Sequence, residues 1–315
     1  MIKINKPKFW DKKHISFLAI ILFPFSLVVS LIIFLKKKMT KMKEFKIPVI
    51  CVGNIYLGGT GKTPTSIFLA KELEILGLKP VLVRKYYENH KDEHGQIKHN
   101  FKNLILCNNR IDGLNKAKED NFKTAILDDG LQDYAIKKNL SIACFNENQL
   151  VGNGLILPAG PLRESLKSLE SIDIILINGK KNRNFENKIL NINKNLKIFY
   201  SNYRPINIDE FKNKKLLVIA GIANPNNFFQ LLEENELLIE KKLIFPDHYQ
   251  FKREEIQSII GEAEEKKLKI IMTEKDYFKL NHFKLDKINY LKVSLEINKK
   301  ENFISEILKI NDKIN

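Results

Sequence analysis

Cysteine is scarce in this sequence, and the few cysteines form no pattern that would cross-link a fold. The 315 residues include three, Cys51, Cys107 and Cys144, an odd number without a close pair. Each lies in an apolar run of the kind that forms buried strands. This argues against a disulfide framework, and we expect all three to be small core residues in a reducing compartment.

Internal repeats and low-complexity domains are also missing. The hydrophobic content of 44% and the aromatic content of 10% exclude a disordered or fibrous chain. The length is sufficient for two domains and a sizeable core. We therefore expect a globular body.

Acidic residues are in deficit. Lysine and arginine number 53 against 37 aspartates and glutamates, a net charge of +16, which attracts nucleic acid, an anionic bilayer or a phosphorylated substrate. The basic residues are scattered, without an aromatic-interleaved patch or a helix-turn-helix signature. We therefore expect no nucleic-acid partner.

Charged residues are missing altogether from positions 15–35. A helix of about 21 residues is long enough to match the ~30 Å hydrocarbon layer of a membrane. A buried core helix and a cleaved signal peptide are the alternatives, but a signal peptide ends at small residues, whereas this stretch ends at a lysine triplet, 36–38. We predict a membrane anchor within residues 1–43. Pro24 is compatible with a spanning helix and with a helix that enters one leaflet and returns.

Apolar runs with little alternation predict a parallel, doubly wound sheet that is covered on both faces. The run at 46–52 is followed by a glycine-rich turn at 53–61 and by helical spacing over 63–76. Further runs lie at 81–83, 104–107, 125–127, 142–145 and 174–177, and a second set lies at 216–220, 270–272 and 290–293. We predict an α/β nucleotide-binding domain over 44–208 and a smaller C-terminal α/β domain over 209–315, with the boundary near 207–214.

The turn contains the residues of a phosphate-binding P-loop. The set comprises Gly58, Gly59, Thr60, Gly61, Lys62, Thr63 and Pro64. The glycines leave the backbone bare enough to approach phosphates, Lys62 supplies a positive charge, and the Thr63 hydroxyl suits Mg²⁺. The strict pattern G-x-x-x-x-G-K-[ST] fails, because its first position is Tyr56. With a strand before it and a helix after it, the loop predicts a P-loop kinase-like sheet with a nucleotide site, in preference to a structural turn.

Two acidic residues follow the apolar run at 125–127. A P-loop fold places its metal-ordering carboxylate at the end of such a strand. Asp128 and Asp129 are therefore candidate Mg²⁺ ligands together with Thr63. The alternative is an Asp-Asp-Gly turn that caps the strand, which the preceding loop disfavours.

Six segments, taken together and in this order, resemble the tetraacyldisaccharide 4'-kinase family of lipid A synthesis. They are GN and GGTGKTP within 53–64, DDGLQDY at 128–134, GNG and LPAGPLRE within 152–164, AGIANP and FF within 220–229, DH and Q within 247–250, and MTEKD at 272–276. The resemblance covers essentially the whole chain, including the N-terminal apolar helix.

The resemblance implies an inner-membrane enzyme of Gram-negative bacteria that uses ATP and Mg²⁺. Such an enzyme transfers the γ-phosphoryl group to the 4'-hydroxyl of an acylated glucosamine disaccharide 1-phosphate. A membrane-embedded glycolipid and the anionic inner-membrane surface are the expected partners, without an obligate protein partner. Because ATP is cytosolic, we expect the soluble domains on the cytoplasmic face, in keeping with the lysines that follow the helix.

The resemblance is weakest where the family has its catalytic base. The family's Ser-Arg-Gly-Tyr-Gly corresponds to VRKYY at 83–87, where only Arg84 and Tyr86 carry over. The family's Gly-Asp-Glu-Pro corresponds to KDEH at 91–94. This alignment implies Asp92 as the base that receives the hydroxyl proton, with Glu93 as the next candidate. The family pattern places His248, from the second domain, beside it.

The implied catalytic set is therefore Asp92, His248 and Lys62. Arg84, Arg163 and Lys275 are possible substrate contacts. Arg163 lies in a loop rich in proline and glycine, where a guanidinium suits either a phosphate or an ion pair with Glu164 or another acid. His90, His94 and His99 are expected in a solvated loop rather than at a metal site.

A P-loop ATPase or GTPase that serves as a membrane-bound switch or chaperone is the main alternative. It would share the loop and the carboxylates, but it would release phosphate without a sugar acceptor. Label from the γ-phosphate of ATP in an organic-extractable glycolipid separates the two.

Overall fold

The structure is a computed structural model that describes residues 7–12, 14–88, 91–222, 224–247, 249–280, 283, 285 and 287–309, with the backbone alone at 91 and 92. Its helices and strands, in chain order, are α1 Phe17–Met39, β1 Val49–Gly53, α2 Lys62–Ile75, β2 Pro80–Lys85, α3 Lys91–Asn100, β3 Leu104–Cys107, α4 Arg110–Glu119, β4 Thr124–Asp128, β5 Leu140–Asn146, β6 Ile174–Asn178, α5 Arg183–Leu190, β7 Lys197–Pro205, β8 Lys215–Ala220, α6 Pro225–Glu234, β9 Leu238–Ile244, α7 Arg253–Glu265, β10 Lys269–Thr273, α8 Glu274–Leu280, β11 Ile288–Leu291, β12 Val293–Ile297 and α9 Lys300–Leu308.

The chain divides into two compact units. The first comprises the residues through Lys85, Asn103–Asn202 and those from Ile297 onwards, and the second comprises Tyr86–Lys102 and Tyr203–Glu296. This division differs from the predicted single cut between 208 and 209. Residues 86–102 leave the first unit between two of its strands, and α9 returns to it. Composition does not reveal either crossing, because each depends on the surface against which the segment packs.

The first unit contains the predicted parallel sheet. Its strands β7 to β3 lie in the order β7-β6-β5-β1-β4-β2-β3, and all neighbours in this order pair in parallel. The central strands β1, β4 and β5 are buried along their whole length, as expected of a sheet covered on both faces. The predicted α/β fold class is confirmed. Because parallel strands end at a common edge, the residues that follow β1 and β4 come together.

The three cysteines are core or near-core residues, as expected. All are free thiols; Cys51 and Cys144 are buried, and Cys107 is partly buried. Burial raises the pKa of both the Cys51 and the Cys144 thiol to about 12. These two thiols therefore stay protonated and act as small apolar side chains.

Helix α1 is long and apolar enough to cross a membrane. The chain nevertheless bonds to the rest of the first unit before, within and after this helix. Before it, Trp10 donates from Nε1 to the Pro158 carbonyl oxygen at 3.0 Å. At its centre, the Ser26 hydroxyl donates to the carbonyl oxygen of Ile156 at 2.8 Å and accepts from the amide of Ala159 at 3.0 Å. After it, the amide of Lys43 donates to the carbonyl oxygen at position 135.

The rest of the surface of α1 is exposed and apolar. Side chains such as Phe17, Phe25 and Phe34 are at least 60% exposed. Ala19 and Ser26, seven positions apart, are the buried pair that mark the contact face, which is the spacing of a single helical stripe. Helix α1 therefore presents one narrow face to the protein and a broad apolar face to its surroundings.

The second unit contains a smaller parallel sheet in the order β11-β10-β8-β9. Strands β8 and β10 are buried in its middle. The edge strand β9 alternates between partly buried and exposed residues. Helix α3 also belongs to this unit, where it packs against α8, with the rings of His99 and Phe278 5.1 Å apart.

Candidate active site

The predicted phosphate loop lies between β1 and α2 in the first unit. Helix α2 begins at Lys62, directly after Gly61. Gly58 and Gly61 have positive φ angles of 123° and 87°, which glycine adopts without strain. The first N–H groups of a helix have no carbonyl partner within it, so the N-terminus of α2 and its dipole favour a bound anion.

Asn54 holds the loop in shape from within. Its side chain is fully buried, and its Nδ2 donates to the Gly58 carbonyl oxygen at 3.1 Å and to Thr60 Oγ1 at 2.8 Å. Gly53 must be small, because a Cβ at this position would lie 2.6 Å from Cγ of Leu131. The Gly-Asn pair before the loop therefore has a structural reason.

Asp128, the last residue of β4, is a buried acceptor that fixes the first turn of α2. Its Oδ2 accepts from Thr63 Oγ1 at 3.1 Å, and its Oδ1 accepts from Ser66 Oγ at 2.9 Å. Arg84 donates from Nη1 to Asp128 Oδ2 and, at 3.2 Å, to Thr63 Oγ1. The Thr63 hydroxyl is therefore oriented by a carboxylate and a guanidinium.

Asp129 lies next to the loop and holds two cations. Its Oδ2 is 3.7 Å from Lys62 Nζ, and its Oδ1 accepts from Arg163 Nη1 at 2.9 Å. Burial opposes the ionisation of this carboxyl, but the charges of Lys62, Arg163 and two further arginines lower the pKa of Asp129 below its usual value. At neutral pH the ionised Asp129 thus keeps the lysine and the arginine together beside the loop.

The two predicted arginines have different surroundings. The Arg84 side chain is 5% exposed and bonded to Asp128, so it supports the loop, and its contact with substrate stays a prediction. The Arg163 side chain is 23% exposed. It forms an ion pair with Asp129, which is the predicted pairing with an acid other than Glu164. The same carboxylate lies near Lys62, the lysine expected to contact phosphate.

Three polar residues of this cluster escaped the sequence reasoning. Arg110 donates to the carbonyl oxygens of Asp128 and Asp129 at 3.1 and 2.8 Å, and so fixes the end of β4. Gln132 donates to the Asn54 carbonyl oxygen at 3.1 Å. Ser66 follows Thr63 at helical spacing, and this spacing is a signal that could have identified it.

Oxygen donors that suit Mg²⁺ lie together here. Mg²⁺ prefers hard oxygen ligands and takes most of them from water and phosphate. Thr63, Asp128 and Asp129 supply a hydroxyl and two carboxylates, and Asp129 is the more exposed carboxylate, at 25%. Within the described ranges no three His, Cys, Asp or Glu residues form a metal-binding group. This donor set fits an ion held chiefly by a nucleotide.

The segment that carries Asp92 is helical, which corrects the expectation of a loop for His94 and His99; of these two, His99 is exposed as expected and His94 is not. His94 lies in α3 and is buried at 6% exposure. Its ring stacks on Tyr86 with the centroids 5.2 Å apart. His99 lies in the same helix. His90, His248 and the side chain of Asp92 lie outside the described residues, so the catalytic roles of Asp92 and His248 stay predictions.

Asp92 belongs to the second unit, as does Asp247, the residue that precedes His248 in the sequence. The expectation that Asp92 comes from the first domain is therefore wrong. The reason is that 86–102 leaves the first unit after β2 and packs against α8. Gln96 and Asn100 of α3 both donate to Glu274, each at 3.2 Å.

Lys275 of α8 is placed between two carboxylates of the same unit. Its Nζ lies 3.0 Å from Glu93 Oε1 and 3.1 Å from Asp247 Oδ1. The Lys275 and Glu93 side chains are each 17% exposed. Lys275 therefore contacts both of these carboxylates.

Comparison with known proteins gives one consistent family. The profile of the LpxK family, described as tetraacyldisaccharide-1-P 4'-kinase, matches residues 18–312. A protein named tetraacyldisaccharide 4'-kinase from Pelagibacter ubique (strain HTCC1062) is 41% identical to this chain and covers 99% of it and 100% of its own length. One of the same name from Rickettsia akari (strain Hartford) is 33% identical over 98% of both chains.

A solved structure shows the same fold. The "apo" form of LpxK from Aquifex aeolicus, in complex with ATP, superposes with a TM-score of 0.70 over 93% of this chain and 99% of that one. The two sequences are 22% identical.

Proposed function

The chain belongs to the tetraacyldisaccharide-1-P 4'-kinase family of lipid A biosynthesis, and we propose that it transfers the γ-phosphoryl group of ATP to the 4'-hydroxyl of an acylated glucosamine disaccharide 1-phosphate. It is a kinase, and the relatives that match it over nearly their full length are named tetraacyldisaccharide 4'-kinase. The proposal concerns the acceptor, the metal, the base and the placement at the membrane.

One observation carries the proposal: a single segment, 152–163, connects the phosphate loop to the apolar helix. Within it, the backbone at 156 and 159 bonds Ser26 of α1. At its end, the amide of Arg163 donates to the Ile55 carbonyl oxygen in the loop at 2.7 Å. A lipid acceptor whose acyl chains stay in the bilayer needs a phosphate donor held close to the membrane surface, and this scaffold supports that placement.

Lys62 and Arg163 are the groups proposed to take the negative charge of the phosphates. Both form ion pairs with Asp129. The 3.7 Å separation of Lys62 from Asp129 leaves the N–H donors of the ammonium available to phosphate oxygens. Phosphoryl transfer requires positioning and charge stabilisation more than covalent chemistry from the protein. Two cations fixed in advance meet that requirement.

The Thr63 hydroxyl and the Asp129 carboxylate are proposed to hold Mg²⁺, and Asp128 to orient Thr63. When bound, the ion would neutralise charge on the phosphate oxygens. Arg84 already neutralises the charge of Asp128. The role proposed for Asp128 is therefore to orient the Thr63 hydroxyl so that its oxygen faces the ion. The fixed α2 turn and the buried carboxylate support this assignment.

Asp92 is proposed to receive the proton of the acceptor hydroxyl, with His248 orienting it. The family pattern supports the pair. The grouping of both chain segments in the second unit supports it further, since residues of one compact unit hold their spacing without a domain movement.

The apolar helix is proposed to lie in the cytoplasmic leaflet of the inner membrane without crossing it. If α1 spanned the bilayer, the non-helical segment bonded to Ser26 at its centre would lie in the hydrocarbon, where irregular backbone is costly. A helix that lies along the protein and exposes a broad apolar face suits insertion in the plane of the interface. The lysines at 36–38 would then meet anionic headgroups.

The test is an extraction assay with ATP radiolabelled on its γ-phosphate and the acylated disaccharide 1-phosphate in mixed micelles. We expect label in the organic phase with the wild-type protein. We expect at least about 10²-fold less with Lys62→Ala, because a principal charge-stabilising group is lost. Release of labelled inorganic phosphate alone would instead identify an ATPase.

A further inference from the structure

The first turn of α8 makes three different connections within the second unit. Glu274 accepts hydrogen bonds from Gln96 and Asn100 of α3. Lys275 contacts Glu93 and Asp247. Asp276 faces the end of β8. Three consecutive side chains therefore join α8 to three separate segments of the unit.

Asp276 makes the innermost of these connections. It is fully buried, and its Oδ2 accepts from the Gly221 amide and from Thr273 Oγ1, each at 2.7 Å. Lys279 pairs with its Oδ1 at 2.5 Å and donates to the Gly221 carbonyl oxygen at 3.0 Å. Charge-assisted bonds of this kind fix α8 firmly to the sheet. The helix start is therefore a rigid base for Lys275.

The two partners of Lys275 are the sequence neighbours of the proposed proton-accepting pair. Glu93 follows Asp92 in α3, and Asp247 precedes His248. Consecutive Cα atoms are about 3.8 Å apart, so a contact that fixes Glu93 and Asp247 limits the positions of both neighbours. Lys275 is the one cation that bridges these two carboxylates among the described contacts.

We propose that Lys275 is a positioning residue of this kinase: its ammonium holds Glu93 and Asp247 together and thereby sets the spacing of Asp92 and His248. The proposal rests on the proposed function of that pair. It replaces the expectation that Lys275 contacts the substrate, because a substrate phosphate would have to compete with two carboxylates that already surround the ammonium.

Electrostatics explains why a lysine is needed at this position. Both carboxylates lie within bonding distance of one nitrogen, so without the positive charge two negative groups would face each other and repel. This repulsion would shift Glu93 and Asp247 relative to each other. An error of 1 Å in the position of a catalytic group can cost about 10²-fold in rate.

The experiment measures kcat and KM for ATP and for the lipid acceptor in the full-length protein. For Lys275→Met, which keeps most of the side-chain length, we expect kcat to fall about 10²-fold with both KM values within about twofold. Lys275→Arg keeps the charge and should restore kcat to within about fivefold of wild type. Lys215→Met, which removes an exposed ion pair of the same unit with Glu240 at 2.9 Å, should match the wild type.

Glu93→Gln keeps the contact between Lys275 and Asp247 and provides a second test if Lys275→Met fails to fold. We expect a loss of about tenfold in kcat with an unchanged melting temperature. Hydrogen exchange at the α3 amides should quicken in Lys275→Met and stay unchanged in Lys215→Met.

The outcomes distinguish this inference from the proposed function. A wild-type protein that transfers no label to the lipid would overturn both. An active wild type with normal kcat in Lys275→Met and Glu93→Gln would overturn the positioning role alone. A higher KM for the lipid with normal kcat would also overturn it, in favour of direct substrate contact.

Discussion

Asp128 and Asp129 are adjacent in the sequence, and the motif alone predicts the same metal-binding role for both. The structure separates them. Asp128 is fully buried and bonded to Arg84, Ser66 and Thr63, whereas Asp129 is 25% exposed and holds Lys62 and Arg163. Which neighbour faces the core depends on the direction of a β-strand side chain at its last residue, and pattern alone does not fix that direction.

The two carboxylates should therefore differ in their effect on stability. Asp128→Ala should lower the free energy of unfolding by about 3–5 kcal/mol, because it removes one member of the buried ion pair between Asp128 and Arg84. Asp129→Ala should cost only about 1 kcal/mol, since its partners are more accessible to solvent. Urea unfolding in detergent measures both. Equal losses would contradict the structural assignment.

Asp129 should also give the protein an acid-sensitive contribution to stability. Its pKa is lowered in the folded chain relative to the ordinary value of 3.8. The stabilisation is therefore fully present above that value and lost as the pH falls through the lower folded-state pKa. The difference in unfolding free energy between wild type and Asp129→Asn should be constant from pH 7 to about pH 5 and shrink below about pH 4.

Asp209→Asn is the control for this titration, since Asp209 forms an exposed pair with Lys212. The unfolding free energy of Asp209→Asn should stay close to that of the wild type, because an exposed ion pair contributes little to stability. A wild-type advantage over Asp129→Asn that grows as the pH falls would refute the lowered pKa.

At the scale of single residues, the sequence predicted the loop better than its support. Lys62 and Thr63 lie at the start of α2 as the motif requires. Arg84 could not be assigned in the same way, because the local sequence does not distinguish a buried arginine from one that binds substrate. Its partner Asp128 is 44 positions away, a contact that only the pairing of β2 with β4 creates.

Among the elements, strands with continuous apolar runs were predicted well and strands of mixed exposure poorly. Continuous apolar runs marked β1, β4, β5 and β6. Strands β7 and β9 have mixed exposure, so no continuous apolar run marks them. Helix α3 has a polar, histidine-containing sequence, and its helical state depends on packing against α8 that no local pattern contains.

Helix α1 gives the sharpest test at the element scale. If it lies in one leaflet, cysteines introduced by Lys8→Cys and Lys38→Cys should both react with a membrane-impermeant maleimide in inverted inner-membrane vesicles, and neither should react in spheroplasts. The wild-type chain supplies the background, as Cys51 and Cys144 are buried. Labelling of one position in spheroplasts would show that the helix crosses the bilayer.

For the whole molecule, the net charge of +16 and the exposed apolar face of α1 both fit the proposed placement at an anionic bilayer. The predicted domain boundary near 207–214 lies a few residues from the observed passage at Asn202 and Tyr203. The insertion of 86–102 into the second unit was not predictable, because it is a matter of tertiary packing.

Removal of residues 1–39 should therefore separate membrane placement from chemistry. Transfer to an acceptor in vesicles should fall about 10²-fold, because the enzyme loses its effective concentration at the surface. ATP binding should change by less than about twofold, since the loop follows the deleted segment. Mixed micelles, in which the acceptor is freely accessible, are the control and should narrow the difference. Equal efficiency of both proteins on vesicles would contradict a catalytic contribution of α1.

The position of the new phosphate tests the central claim most directly. The product formed from ATP and the acylated disaccharide 1-phosphate would be purified, and its phosphorus atoms assigned by phosphorus–proton correlation NMR. We predict a phosphate monoester on the 4'-oxygen, formed by the wild type and lost with Lys62→Ala. A diphosphate at position 1, or inorganic phosphate as the sole product, would contradict the assignment of this protein as a 4'-kinase.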